Sequence, residues 1–168
     1  MFFQINTTDF QKFEEVVQRL EDRFRDLTPF WNDYALGLIQ EEVRVEFRTE
    51  GHGRWPELNP DYAAEKARDF PGRGILVKEG TYFGAATQVS HPGNIFIATP
   101  MEMVYGVDGD YFVSRFGENY PAAHEFGRGV PQREVFEPIA EGAELDAAIS
   151  RLLEKWSSEE ISEAEARY

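Results

Sequence analysis

Three histidines, His52, His91 and His124, are the residues of this chain best suited to acid–base or metal chemistry. His124-Glu125 opens like the helical zinc-protease motif, in which two histidines one turn apart let both rings reach one ion. One turn further on stands Arg128, so the second ring is missing. His124 therefore reads as a histidine hydrogen-bonded in a turn or an interface. His52 lies between glycines and His91 precedes a proline, which makes both read as exposed loop residues. A catalytic histidine needs a nucleophile and an orienting acid close in space. No serine occupies a G-x-S-x-G elbow. With no cysteine in the chain, a thiolate nucleophile, a disulfide frame and Cys-ligated zinc are excluded.

Other constellations read as structure. Gly72-Arg73-Gly74 and Gly127-Arg128-Gly129 lack the lysine and hydroxyl of a phosphate loop and read as turn punctuation. Asp108, Asp110 and Asn119 lack the glycine and glutamate spacing of a calcium loop. Glu41, Glu42, Glu46 and Glu50 recur at helical turn spacing and read as a solvated charged face. A carboxylate pair for acid–base work would need burial to separate its pKa values. No cofactor and no metal-ligand set is expected. With 31 acidic against 17 basic residues the net charge is −14, which disfavours sequence-specific DNA binding. Such acidity serves solubility, or gives DNA a surface to pass without sticking.

These residues must be carried by a body of 168 residues, enough for one domain with a real core. The first ten residues lack a basic and apolar leader pattern, so no secretory signal is expected. No apolar run approaches a membrane span. Apolar residues at three- and four-residue steps predict a helix over residues 9–27, from Phe10 through Val17 and Leu20 to Leu27. Thr28-Pro29 ends it, because the residue before proline is pushed out of the α region. A second helix is predicted over 30–47, with Trp31, Tyr34, Leu38, Val43 and Phe47 on its apolar stripe. The short joint suits a helical hairpin over residues 1–50.

A short helix is predicted over 61–68 and a short strand over 75–77. Residues 80–89 fit a strand or a short helix. Strands are predicted over 94–99 and 103–107. Asp108-Gly109 is a hairpin signal, since both residues tolerate positive φ, and it makes 111–113 the returning strand. A helical turn over 121–126 and a last strand over 130–136 follow. Leu145, Ile149, Leu152, Leu153 and Trp156 mark a C-terminal helix, and the acidic residues 157–168 are predicted to fray. The fold class is thus α+β: an N-terminal helical hairpin, a central small antiparallel sheet with short helices over 51–136, and a C-terminal helix with an acidic tail over 137–168. Trp31, Trp55, Trp156 and the many Phe and Tyr residues serve as core, as interface anchors, or as both.

The order of several short segments is similar to the phage virion morphogenesis family, which includes tail completion proteins. Gly53-Arg54-Trp55-Pro56, then Lys66, then Ile75-Leu76-Val77-Lys78-Glu79-Gly80 resemble its Trp-Pro, lysine and "IL-x-x-(T/S)-G-x-L" steps. Tyr82 stands where that step has an aliphatic residue. Ile97-Ala98-Thr99 resembles a following strand end. Tyr120-Pro121-Ala122-Ala123-His124-Glu125-Phe126-Gly127 resembles its "YA-x-x-H-x-F-G" step, apart from Pro121. Val130-Pro131-Gln132-Arg133 resembles its closing "I-P-x-R", with Glu134 and Val135 in place of the family's proline and apolar residue. The likeness covers about the middle half of the chain.

The resemblance implies a structural virion protein of the phage neck, a tail completion or tail terminator subunit assembled in the host cytoplasm. It implies a homo-oligomeric ring, hexameric to match the tail tube. The ring caps the tube protein, meets the head–tail connector proteins, and lets double-stranded DNA through its lumen without specific binding. It implies no enzyme, no cofactor and no membrane. Trp55, Gly80, Tyr120, His124, Phe126, Gly127 and Arg133 are the expected interface or turn-defining residues. Two alternatives stand: a head-completion stopper or adaptor, and, from another class, a cytoplasmic bacterial hydrolase or metal-binding enzyme built around His124.

Overall fold

The structure, a computed structural model, describes residues 7–166, with the side chains of 14–164 and 166. The apolar stripe of the first predicted helix forms α1 (Thr7–Arg25); Phe10 and Phe13 on that stripe lie outside the described side chains. The first helix ends at Arg25 and the break falls on Asp26-Leu27, one step before the expected Thr28-Pro29: Thr28 is itself helical, and Pro29 lies in the first turn of the new helix, where its missing N–H costs nothing. This second helix is continuous: α2 (Thr28–Phe30), one wide π-helical turn (Trp31–Ala35) and α3 (Leu36–Thr49). The packing expected of residues 1–50, first helix against second in a hairpin, is corrected: the main partner of α1 is a third helix from the C-terminus. Among the described residues α1 rests mainly on α9 (Ala143–Glu165), because Trp156 of α9 sits between the rings of Phe24 and Phe30. An Arg23–Glu160 ion pair at 2.9 Å and a Tyr34 hydroxyl donated to Glu159 extend that seam. The fraying expected over 157–168 is therefore corrected for its helical part: α9 runs on to Glu165, and Ala164 is buried.

The rest of the chain wraps α3. Asn59 caps α4 (Pro60–Asp69) by accepting the Asp61 N–H at 3.0 Å. The ambiguous stretch after Gly80 is helical, α5 (Thr81–Thr87), with Tyr82, Ala85 and Ala86 buried. Strands β1 (Asn94–Ala98) and β2 (Met103–Val107) pair antiparallel, with Phe96 opposite Tyr105 and Ile97 opposite Val104. Then come α6 (Gly109–Phe116), α7 (Tyr120–Glu125) and α8 (Glu137–Ala140).

Three expected strands are corrected. The hairpin turn is residues 99–102, where the Thr99 N–H donates to the Glu102 carbonyl at 2.8 Å; it is not Asp108-Gly109. Asp108 instead accepts the Asp110 N–H at 2.9 Å and caps α6, so 111–113 is helix. An aspartate before glycine suits a helix cap as well as a turn. Only Phe112 of that run is buried, and Val113 points outward, as one face of a helix demands. Residues 75–77 form a turn, with Leu76 at φ 61°. Residues 130–136 are irregular. In both segments, backbone donors that a sheet ladder would need are taken by carboxylates, the half-buried Glu50 and the buried Glu125, described below.

Two apolar cores result. The larger gathers Val43, Phe47, Trp55, Ile75, Tyr82, Phe112 and Val135, with Phe47 edge-on to Trp55, Tyr82 and Phe83 at 5.9, 5.3 and 5.3 Å between ring centres. Edge-to-face rings gain about 0.5–1.5 kcal/mol each beyond burial. The smaller joins Phe30, Ala35 and Trp156, with Leu27, Tyr34 and Met103 against it. Among the described residues no helix is long and apolar enough to cross a membrane.

Candidate interface cleft and its polar frame

The loops around residues 50–57, 71–80 and 130–137 have little regular structure, yet they close over the larger core. Buried charged side chains hold them. The helix α3 ends in four successive left-handed residues, Glu50, Gly51, His52 and Gly53, with φ between 51° and 77°. Left-handed backbone costs a non-glycine residue about 1–2 kcal/mol. Glycine is required at 51: a Cβ there would lie 2.4 Å from the Trp55 indole. The strain at Glu50 is offset by what its carboxylate does, accepting the Ile75 N–H at 2.8 Å.

Glu125 does the same on a larger scale. Its two carboxylate oxygens accept the N–H groups of Val135, Phe136 and Glu137 at 2.9, 2.9 and 2.8 Å. One side chain thereby satisfies two orphan donors at the start of α8, those of Phe136 and Glu137, and the Val135 N–H before them. Arg133, only 4% exposed, donates Nε and Nη2 to the Pro56 carbonyl at 3.1 and 2.8 Å, and Nη2 to the Glu57 carbonyl at 3.2 Å. Trp55 Nε1 donates to the Glu134 carbonyl at 2.9 Å. Lys66 is buried and donates to the Gly74 carbonyl. Burial pushes the Lys66 ammonium below its usual pKa; nearby Glu50 opposes this, while Arg133 and Lys78 add to it.

Glu46 corrects an expectation. Turn spacing puts it on a solvated face with Glu41, Glu42 and Glu50, but it is buried. Its carboxylate faces Arg54 at 3.2 Å and His52 Nε2 at 3.4 Å. Desolvation lifts its pKa above the usual carboxylate value, with Arg54 and His52 pulling the other way. Glu41 does stay exposed, bridging to Arg44 and Arg48. His52 is exposed as expected, whereas His91 is half-buried, accepting the Gly93 N–H at Nδ1 and standing edge-on to Tyr111.

Against this frame lies a cleft of about 690 Å³. Its apolar walls include Leu58, Leu76, Phe116 and Tyr120, and Lys66, Lys78 and Arg133 bring positive charge to it. Four of the seven residues singled out from the sequence line it: Gly80, Tyr120, His124 and Arg133. Gly80, at φ 90°, turns the chain into α5. Burial raises the Tyr120 phenol to about 12. His124 places Nδ1 3.4 Å from the Pro131 carbonyl, a turn contact of the kind its neighbours suggested. Desolvation lowers its pKa; the Pro131 contact opposes that, Arg133 reinforces it, and Glu118 opposes it. Trp55 does not line the cleft; it is buried in the larger core. Phe126 is 57% exposed with the Arg128 guanidinium 5.0 Å over its ring, and Gly127, at φ 64°, packs on Gln132.

Sequence reasoning missed Glu46, Glu50 and Glu125 as framework residues. The available signal was position: Glu50 precedes a Gly-x-Gly break, and Glu125 lies ten residues before a run whose alternation had no strand to pair with. Among the described residues no group of three or more His, Asp or Glu is arranged to hold a metal ion. The chain matches no protein-family model, no curated protein and no solved structure.

Proposed function

We propose that this chain is a structural subunit of the tailed-phage neck, a tail completion or terminator protein that assembles into a ring on the tail tube. One observation carries the reading. The segments that resemble the virion morphogenesis family, spread from residue 53 to residue 133, meet in one knot: Arg133 grips the Trp-Pro loop, Lys66 grips the loop before Gly80, and Tyr120 and His124 face the same cleft. Residues that share a pattern only through their order thus have a common physical task. That shared task supports the likeness. The knot also leaves exposed aromatic and apolar surface, including Phe126, Phe116 and Val130, of the kind that oligomer contacts use.

In this reading the self-partner is a sixfold ring, the neighbours are the tail tube protein and the head–tail connector, and DNA passes a lumen lined by carboxylates. Negatively stained virions bearing an antibody to this chain test it. Label at the neck supports the assignment, and label along the shaft or at the distal tip removes it. Ring stoichiometry separates a tube-matched terminator from a portal-matched stopper or adaptor.

A second reading is favoured by one feature: His124 and Tyr120 share the cleft with Glu57, Glu79 and Glu118. A hydrolase would draw its acid and base from that set. Turnover of ester, phosphoester or peptide substrates by the wild-type chain, abolished by His124→Gln, would move the assignment to an enzyme.

A further inference from the structure

A closed ring with one repeated contact needs two different surfaces on each copy, one that protrudes and one that receives. The β1–β2 hairpin supplies a protrusion. Met101 at its tip is 78% exposed, more than any other large apolar side chain among the described residues. Ile97 and Val104, opposite each other in register and 53% and 44% exposed, continue apolar surface along the strands. The tip is stiff. Thr99 Oγ1 accepts the N–H groups of Met101 and Glu102 at 3.4 and 3.1 Å, and the Pro100 carbonyl accepts the Leu27 N–H at 3.0 Å. A pre-ordered tip loses little conformational entropy when it docks.

The cleft supplies a receiver. Its volume, about 690 Å³, lies in the range that encloses a small group of side chains. Leu58, Leu76 and Tyr120 offer apolar wall, and Lys78 stands exposed at its edge over the Phe70 ring. Among the described residues none of Lys66, Lys78 and Arg133 forms an ion pair with a carboxylate. Glu57, Glu79 and Glu118 also line the cleft and are exposed. That mixture repels a polyanion such as nucleic acid but accommodates one carboxylate beside Lys78. No residue of the hairpin lines the cleft of its own molecule.

We infer that the hairpin tip of one copy, Pro100-Met101-Glu102, seats in the cleft of the next. Met101 lies against Leu58, Leu76 and Tyr120, and Glu102 lies beside Lys78. The contact is head-to-tail, so it propagates until the rotation closes a ring. This inference rests on the ring assembly proposed above and names the surfaces that make it.

The absence of cysteine from the chain makes the test clean. Met101→Cys and Val130→Cys both replace exposed side chains, Val130 being on the wall of the cleft. Mixed in equal amounts under mild oxidant, the two single variants are expected to form a disulfide-linked dimer. The double variant is expected to give a covalent ladder. Met101→Cys mixed with Ile161→Cys, on the exposed face of α9, is the control that stays uncrosslinked. Charge exchange gives a second readout by analytical ultracentrifugation. Glu102→Lys and Lys78→Glu each weaken self-association about tenfold, and the pair together restores most of it. If copies still assemble while Met101→Cys and Val130→Cys crosslink no better than the control, the hairpin–cleft pairing is wrong and the ring stands. If the wild-type chain does not self-associate, either alone or with the tail tube protein, ring and pairing fall together.

Discussion

Glu125 and Val135, ten residues apart in sequence, are joined by a 2.9 Å hydrogen bond from the Val135 N–H to the Glu125 carboxylate. The same carboxylate holds Phe136 and Glu137, so one acid replaces the strand partner that residues 130–136 lack. Glu125→Gln leaves an amide with one acceptor oxygen to face three donors. Hydrogen bonds to a charged group contribute about 1.5–3 kcal/mol each, and an unsatisfied buried donor costs about 1–3 kcal/mol. The expected loss is about 2–4 kcal/mol, read as a lowered urea midpoint at unchanged slope.

Arg133 tests whether its role is charge or shape. Its planar fork reaches two successive carbonyls, Pro56 and Glu57, from one buried position. Lysine keeps the charge but not the fork. Arg133→Lys is expected to destabilise the fold by about 1–3 kcal/mol and to speed amide exchange in the loop around residues 54–58. A variant as stable as wild type would show that the fork is dispensable.

Two glycines separate backbone strain from steric clash. At Gly80 (φ 90°) a Cβ would meet nothing within 4 Å, so Gly80→Ala bears the backbone cost alone, about 1–2 kcal/mol. At Gly51 (φ 66°) a Cβ would stand 2.4 Å from Trp55, so Gly51→Ala adds overpacking, for roughly 3 kcal/mol or more in all. Thermal melts of the two variants, followed by circular dichroism, should rank them in that order.

The pH response of His124 has a definite sign. Burial is the main cause that holds its pKa below the ordinary 6.5. Between the folded and unfolded values the unfolded chain binds more protons, so this group makes stability rise with pH. Its contribution is lost as pH falls from the ordinary histidine range through the lowered folded value. A ring-proton titration by NMR should give a midpoint below 6.5. His124→Gln should flatten the acid side of the stability curve. Glu46, whose pKa is raised by desolvation, acts with the opposite sign above the ordinary carboxylate value, because there the folded chain binds more protons.

The helices and the two paired strands were legible because their signals are local. Apolar spacing placed α1 and the second helix to within a few residues, and alternation did the same for β1 and β2; it found α9 as well but stopped it at Trp156, well short of Glu165. Pro29, Pro60 and Pro121 all lie in a first helical turn, and the asparagine caps Asn59 and Asn119 emerge only in the structure. Asp108-Gly109 misled because a cap and a turn ask for the same residues, and only the packing of Phe112 decides between them. Four of the seven residues drawn from the family likeness meet in one cleft, but nothing in the string told which of them would be buried.

The amino-acid order by itself determined the long helices, the two paired strands, the α+β class and the net acidic charge, since these depend on composition or on neighbours within a turn or a strand step. The tertiary structure alone decided the rest. It chose α9 as the main support of α1. It turned 75–77 and 130–136 into pinned loops, and it drew Glu46, Glu125, Lys66 and Arg133 inside. The reason is that a backbone N–H must find an acceptor once it leaves water. For those two segments the acceptors are carboxylates 25 and ten to twelve residues away, a pairing that no local pattern encodes.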